Sequence, residues 1–416
     1  MRPRRMAWLA ATATALLTAA SGALADKLFE TQFTVGGVPI ASDGTNKISN
    51  VPDMYNSSSL DALLGSGFNP VTDDFLASLN LRGLNGTLSW TASTGELALV
   101  IPEVLDIRIT GTNYEDVLDR LEDWLKGDFE TDLAPSDALT ALLQGLVEHS
   151  PVDPFAGNPN SLQSRMLSSD YRLGTEGPFT SGDGPLDPST NLVGLGLEYG
   201  HFSAGGYRGE LLELPIDYRI NFRDPKWSLL FNLPLTATFT EDQWSILASG
   251  ALGVQFRPTE WWSLTPLFRM GAAGSIDVGA LGVLYGFTLT NHMRLFEWRG
   301  IRLAMGNMAG FTKSMDDIEV GDYQFSYDIT NPMTRNGGYV EGEFDLLGVP
   351  AGWKVFGSNM LLFGDDLFAE SQNEVGVQLS TLGRVGGKPY EAIGLSAAYV
   401  FANDYDAVSL RLRFRF

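Results

Sequence analysis

The 416-residue chain contains no cysteine and only three histidines. That excludes disulfide staples, thiolate metal sites and thiol redox chemistry, and leaves few imidazoles for catalysis. Basic residues are scarce as well: 28 Lys and Arg stand against 50 Asp and Glu, a formal net charge of −22. A chain this acidic lacks the electrostatic footprint for a phosphate backbone, so no nucleic-acid partner is expected. Long apolar runs are also missing. Beyond the N-terminal stretch, none reaches the ~18 consecutive residues of a helical membrane span. No cofactor motif and no metal-ligand spacing is present, and neither kind of ligand is expected.

What is present begins with residues 1–25. Arg2, Arg4 and Arg5 precede an apolar run and then Ala23-Leu24-Ala25, the layout of a secretory signal peptide cut before Asp26. Its removal would leave 25 basic against 50 acidic residues. Export without a helical anchor leaves the periplasm, the outer membrane or the medium as destinations.

Residues 26–149 read as a small α+β domain outside the bilayer. Lys27–Gly36 has the composition of a strand, and Thr72 is placed to cap a short helix with Phe75, Leu76 and Leu79 on one side. Thr87–Trp90 and Glu96–Ile101 flank Ser93-Thr94-Gly95 as a β-hairpin, and Leu105, Ile107 and Ile109 alternate through a further strand. The period then changes. Tyr114, Val117, Leu118, Leu121, Trp124 and Leu125 form a helical stripe, opened by a capping box of Thr112 and Glu115 and stopped at Gly127. A second helix is predicted from about Ser136 to Glu148, before Pro151.

Residues 150–190 divide the chain. Ser150–Asn160 carries three prolines and no period, which is the composition of a linker. Asn160 is placed to cap a short helix in which Leu162, Met166 and Leu167 share a side. Asp183 and Asp187 follow in a Gly- and Pro-rich stretch that lacks the spacing of a calcium loop and reads as a turn.

From Asn191 to Phe416 the apolar period is two. Leu212, Leu214, Ile216, Tyr218, Ile220 and Phe222 oppose Glu213, Asp217, Arg219 and Asn221; Trp227, Leu229, Phe231, Leu233 and Leu235 oppose Ser228, Asn232 and Thr236. Aromatic residues such as Trp227, Trp244 and Trp262 fall at segment ends, where the girdles of a transmembrane barrel sit. Thirteen segments can be traced, near residues 191, 207, 226, 243, 261, 279, 301, 322, 338, 352, 372, 389 and 405. Single-chain bacterial barrels have even strand numbers. The segment 338–346 alternates least well, so twelve antiparallel strands are predicted.

The last segment is the clearest. Val408, Leu410, Leu412, Phe414 and Phe416 share one face, and Ser409, Arg411, Arg413 and Arg415 the other. An uninterrupted apolar face ending on Phe resembles the assembly signal of outer-membrane β-barrels. The resemblance implies an all-β transmembrane barrel over 191–416, embedded in outer-membrane lipid and folded by the barrel-assembly machinery. The inward set of such a barrel would comprise Glu213, Asp217, Arg219, Arg269, His292, Arg294, Glu374, Arg411, Arg413 and Arg415, either packed rigidly or lining a water path. His201 lies near Ser203, but no orienting carboxylate can be placed beside them, so no catalytic residue is assigned and no enzyme is expected.

The order of signal peptide, small exported domain, linker with a short helix, and C-terminal barrel resembles autotransporter translocators. That resemblance implies a translocator or pore whose lumen holds part of 150–190. A passive diffusion channel with a periplasmic plug or docking domain, and a structural outer-membrane protein, are the alternatives; an outer-membrane hydrolase is the weakest. Because a twelve-stranded barrel is wider than its own side chains can fill, the lumen must hold water or a plug. The arginine surplus of the inward set favours an acidic plug.

Overall fold

The computed structural model describes residues 27–35, 38–47, 50–64, 68–126, 135–175, 191–224, 226–241, 243–275, 280–315, 318–320, 323–325, 327–381 and 392–415. The expected signal peptide, Asp26, Gly127, Asp183, Asp187 and Phe416 lie outside them.

The N-terminal domain is built on an antiparallel sheet in the order β2-β1-β3-β4-β5-β6. Its strands are β1 (Phe29–Val35), β2 (Val38–Thr45), β3 (Phe75–Leu81), β4 (Leu84–Thr91), β5 (Glu96–Ile101) and β6 (Leu105–Thr110). The helix expected after Thr72 does not form. Phe75, Ala77, Leu79 and Leu81 are buried while Leu76 and Ser78 are exposed, so the segment satisfies period two and pairs with β1 and β4. The predicted hairpin is present, with Thr91 paired to Glu96.

One face of the sheet is covered by α1 (Ser57–Leu64), α2 (Tyr114–Lys126) and α3 (Pro135–His149). The predicted stripe of α2 is buried throughout, from Tyr114 to Leu125. Its cap differs from the predicted box by one residue: Asn113 Oδ1 accepts from Asp116 N at 3.0 Å, and Asp116 Oδ2 accepts back from Thr112 N at 2.6 Å. Glu115 accepts from Ser57 Oγ of α1 instead. A shorter Asp one position on closes the reciprocal pair that Glu would otherwise make.

After α4 (Leu162–Thr175), twelve strands among the described residues close a barrel. These are β7 (Leu192–Ala204), β8 (Tyr207–Asn221), β9 (Trp227–Thr240), β10 (Gln243–Thr259), β11 (Trp262–Ser275), β12 (Ala280–Trp298), β13 (Ile301–Ser314), β16 (Thr330–Leu346), β17 (Val349–Leu362), β18 (Ser371–Thr381), β19 (Ala392–Ala402) and β20 (Tyr405–Arg415). β20 closes on β7, with Arg415 opposite Gly194 and Tyr405 opposite Ala204. The strand number is as predicted, but the discarded segment was the wrong one. Residues 338–346 belong to β16, whereas the segment near 322 forms the separate hairpin of β14 (Ile318–Val320) and β15 (Tyr323–Phe325) outside the barrel ladder. The weak alternation of 338–346 has a local cause: Gly337, Gly338 and Gly342 carry no side chain to mark a face.

Outward residues are apolar along the strands, with Leu214, Ile216, Leu233, Leu235, Phe268, Phe287, Leu395 and Leu410 all exposed. Water would not stabilise such a belt, and closure leaves no unpaired edge, so the object is a membrane-spanning barrel. Trp227 and Trp244 are exposed near opposite ends of adjacent strands, as girdle residues are. Several connections are two-residue turns with left-handed φ, such as Arg299-Gly300 and Leu347-Gly348, the form that keeps the strand twist.

Candidate functional site: the plugged lumen

The barrel has two unlike mouths. At one, β7 begins and β20 ends; this is the terminal mouth. The other carries the turns after β7, β9, β17 and β19, and the N-terminal domain sits on it. Asn46 Nδ2 donates to Glu241 O at 2.9 Å, Tyr207 OH to Asn80 Oδ1 at 3.1 Å, Gln144 Nε2 to Asp328 O at 2.9 Å, and Phe368 N to Val147 O at 3.2 Å. The buried apolar core of the domain runs on into Phe202, Tyr207, Tyr327, Leu362, Leu367 and Tyr405 of the barrel without a break. Contact of this kind fixes the domain as a cap.

Residues 150–161 make the joint, and they are not the loose linker that their composition suggests. Ser150, Asp153, Phe155, Ala156, Asn158 and Ser161 are all buried. Asp153 Oδ1 accepts from Phe155 N at 2.8 Å and Ala156 N at 3.1 Å, Asn158 Nδ2 donates to Asp153 O at 2.6 Å, and Ser161 Oγ donates to Asn158 O at 2.6 Å. Prolines and glycine here serve a compact knot: Gly157 lies against Val147 O, where any side chain would collide. Phe155 stacks on Tyr327 at 4.0 Å.

The knot delivers α4 into the lumen. Its start is capped by Ser161 rather than by the predicted Asn160, with Ser161 Oγ accepting from Ser164 N at 3.4 Å, while Leu162 N and Gln163 N donate to Pro154 O and Phe155 O. The helix, about 21 Å long at 1.5 Å per residue, runs from the capped mouth toward the terminal mouth and packs against β10, β11, β12 and β13. Wall glycines make room for it. A methyl group at Gly306 would collide with Tyr171 and Thr175, and one at Gly337 with Tyr171.

Four layers follow one another along the lumen. Nearest the cap, Leu162 and Met166 pack with Leu247, Ala273, Leu284, Met308 and Met360. Next comes an ionic belt. Arg165 Nη1 donates to Glu198 at 3.1 Å and its Nε to Glu213 at 2.9 Å; Arg172 lies 3.4 Å from Glu213; Arg411 Nη2 lies 2.6 Å from Glu198. Across the belt, Arg269 Nε donates to Asp170 at 2.7 Å, and Asp170 also accepts from Thr288 Oγ1 at 3.0 Å. Arg335 pairs with Glu374 and lies over the Tyr171 ring at 4.6 Å. Below the belt, Leu173 of the helix meets Leu230, Ala251 and Leu267. The last layer, at the terminal mouth, is polar and rich in cations. It includes Arg219, Gln255, Arg257, His292, Arg294, Arg413 and Arg415.

The alternation therefore assigned the faces of Glu213, Asp217, Arg219, Arg269, His292, Glu374, Arg411, Arg413 and Arg415, all of which lie inside the barrel, with Arg294 on the same face of β12 as His292. It missed Glu198, which is 1% exposed and anchors three arginines. It also missed both helix arginines. The notion of an acidic plug in a basic lumen needs correction accordingly: α4 gives Asp170 to the wall and takes Glu198 and Glu213 from it. Exchange in both directions satisfies every partner locally, which a buried charge requires. His292 Nε2 shares a 2.8 Å hydrogen bond with Tyr339 OH, and Arg413 lies 3.3 Å from Asp217.

Two small cavities beside α4 hold about 40 and 10 Å³. The first, between the helix and β7, β18 and β20, has room for about three waters. His201 and Ser203 lie on the outward-pointing face of β7, so they do not meet in the lumen. Among the described residues no cluster of three or more metal-ligating side chains occurs.

No protein-family model matches the chain, and no curated protein matches it. Solved structures to which it is similar include the translocator domain of autotransporter NalP from Neisseria meningitidis, at 13% identity and TM-score 0.45, covering 61% of this chain and 96% of that one. The beta domain of the Bordetella autotransporter BrkA aligns at 11% identity and TM-score 0.43, over 54% of this chain and 98% of its own. The KdgM porin aligns at 10% identity and TM-score 0.31, over 53% and 99%.

Proposed function

We propose that this chain is an outer-membrane barrel of the translocator type, caught after its N-terminal domain has passed through, with that domain kept as a permanent cap. The observation that carries this reading is the course of the chain. It leaves the cap and enters the lumen as α4, whose C-terminal end is directed toward the mouth where β7 begins. The mouth at which the barrel's terminal strands begin and end is taken as the periplasmic one, as in barrels with short periplasmic turns; the longest connection, 315–329, lies at the capped mouth, although the ten-residue connection 382–391 lies at the terminal one. The cap would then face the outside of the cell.

A passive diffusion channel is the weaker reading, because Glu198, Glu213 and Arg269 of the wall hold the helix through ion pairs to Arg165, Arg172 and Asp170, and the helix stands in the lumen where a solute would pass. Protease shaving tests the orientation. On intact cells the cap is expected to be shaved or labelled from outside; protection until the outer membrane is permeabilised would put it in the periplasm and favour a docking module instead.

A further inference from the structure

The ionic belt and the terminal mouth treat their arginines differently. In the belt, each guanidinium named above meets a carboxylate. At the terminal mouth, Arg413 has Asp217 at 3.3 Å and Arg302 has Glu341 at 3.0 Å. Arg219 and Arg257 are arranged otherwise. Arg219 Nη2 donates to Gln255 Oε1 at 2.6 Å, and Arg257 donates to the same oxygen through Nε at 2.9 Å and Nη2 at 2.6 Å. Two cations thus converge on one neutral amide oxygen. Arg219 is 3% exposed, and its Nε is buried with no hydrogen-bond partner.

This arrangement is costly as it stands. A buried guanidinium without a counter-charge of its own is destabilising, and Asp217, two residues along β8, is already engaged by Arg413 at 3.3 Å and by Asn232 at 2.7 Å. Strands β8 and β10, each paired to β9 between them, fix the backbone under the two arginines, so the buried Arg219 cannot simply retreat to water. Among the described residues neither Arg219 nor Arg257 makes an ion pair, and what would complete the pair is an acceptor with several oxygens and negative charge. A tetrahedral oxyanion supplies both, and the planar guanidinium fork matches it with two parallel hydrogen bonds.

We propose that Arg219 and Arg257, bridged by Gln255 at the terminal mouth of the lumen, form a binding site for a phosphate-class oxyanion. Gln255 Nε2 donates to Thr265 Oγ1 at 3.4 Å, which fixes the amide so that its oxygen faces the two arginines. The site is independent of the direction in which the barrel is inserted, and hence of the translocator reading.

The test uses the full chain, folded in phosphatidylcholine nanodiscs, titrated with inorganic phosphate at constant ionic strength and read by ³¹P line broadening. Saturable binding is expected, weakened at least tenfold in Arg219→Gln and in Arg257→Gln and unchanged in Arg208→Gln, an exposed residue at the capped mouth. Arg257→Lys, which keeps the charge and loses the fork, is expected to fall between. Because Arg219 is buried, retention of the heat-modifiable band on gels is checked for each variant, and the half-exposed Arg257 keeps the test open if Arg219→Gln does not fold. Repeating the titration with phosphatidylglycerol in the disc separates sources: competition assigns the site to a lipid phosphate, and its absence to a free anion. No binding by the wild type, or equal binding by a folded Arg257→Gln, overturns the proposal. So does binding that appears only after Glu176, Asp183 and Asp187 are neutralised, since the chain's own carboxylates would then hold the arginines.

Discussion

At the scale of single residues, the lumen shows how a membrane barrel tolerates buried charge. Arg269 is fully buried and bonds to Asp170, Ser249 and Asn232 together. Removing one partner leaves the other uncompensated, which costs about 3–5 kcal/mol at buried pairs. Asp170→Asn is therefore expected to lower the denaturant midpoint of the folded barrel clearly, while Asp170→Asn combined with Arg269→Met recovers part of the loss; an unchanged midpoint in the single variant would show that the pair contributes nothing. Outside the membrane, Asp116 is held below the usual carboxylate range, first by the Thr112 backbone N–H and then by the Thr112 hydroxyl. A depressed carboxylate contributes stability that is present above its unfolded value and lost as pH falls through the folded one. Circular dichroism of Asp116→Asn should show a fraying α2 at neutral pH and a smaller difference from wild type in acid.

At the scale of elements, α4 and its glycine seat are a matched pair. Gly306→Val would drive a branched side chain into Tyr171 and Thr175, and overpacking at such a contact forces displacement. Planar-bilayer recordings are expected to show near-zero conductance for the wild type and frequent openings for Gly306→Val, with the largest pore after deletion of 150–175; a wild type that conducts as freely as the deletion would mean that α4 leaves the lumen in the membrane. The strand β20 makes a second test of two faces. Arg at Leu410, which points outward and is exposed, should cost about 2–4 kcal/mol if it lies near the midplane, whereas Arg413→Gln, beside Asp217, should cost less. Folded fraction on heat-modification gels compares the two, and equal damage would contradict the register that pairs Leu410 with Tyr199.

At the scale of the whole molecule, the cap, the knot and the plug form one continuous packed body. Deleting the cap alone, residues 27–149, should expose Phe202, Tyr207, Leu367 and Tyr405 at the mouth and reduce the yield of folded barrel. If the capless barrel assembled at wild-type yield, the cap would be cargo that the barrel does not need. A mobile linker would have allowed the domain to swing; the knot of Asp153, Asn158 and Ser161 does not.

Much of this was legible in the residue order, and the reason is local. Period two in the strands and the 3.6-residue stripe of α2 are set by side-chain spacing along a single segment, so the strand faces could be read without a partner in view, whereas spacing alone traced thirteen segments and the count of twelve needed the even-number rule. Residues 75–81 and the cap of α2 were misread where two local signals competed, a Thr that resembles an N-cap against an apolar alternation. The pairing of charges belongs to the tertiary structure alone. Glu198 is one glutamate among many until β7, β20 and α4 bring Arg165, Arg172 and Arg411 to it from places up to 213 positions apart. The proline-rich segment 150–160 shows the same division: its composition dictates turns, but whether those turns hang in solvent or weld two bodies together depends on surfaces of Val147, Tyr327 and Phe368 that no spacing along the chain encodes.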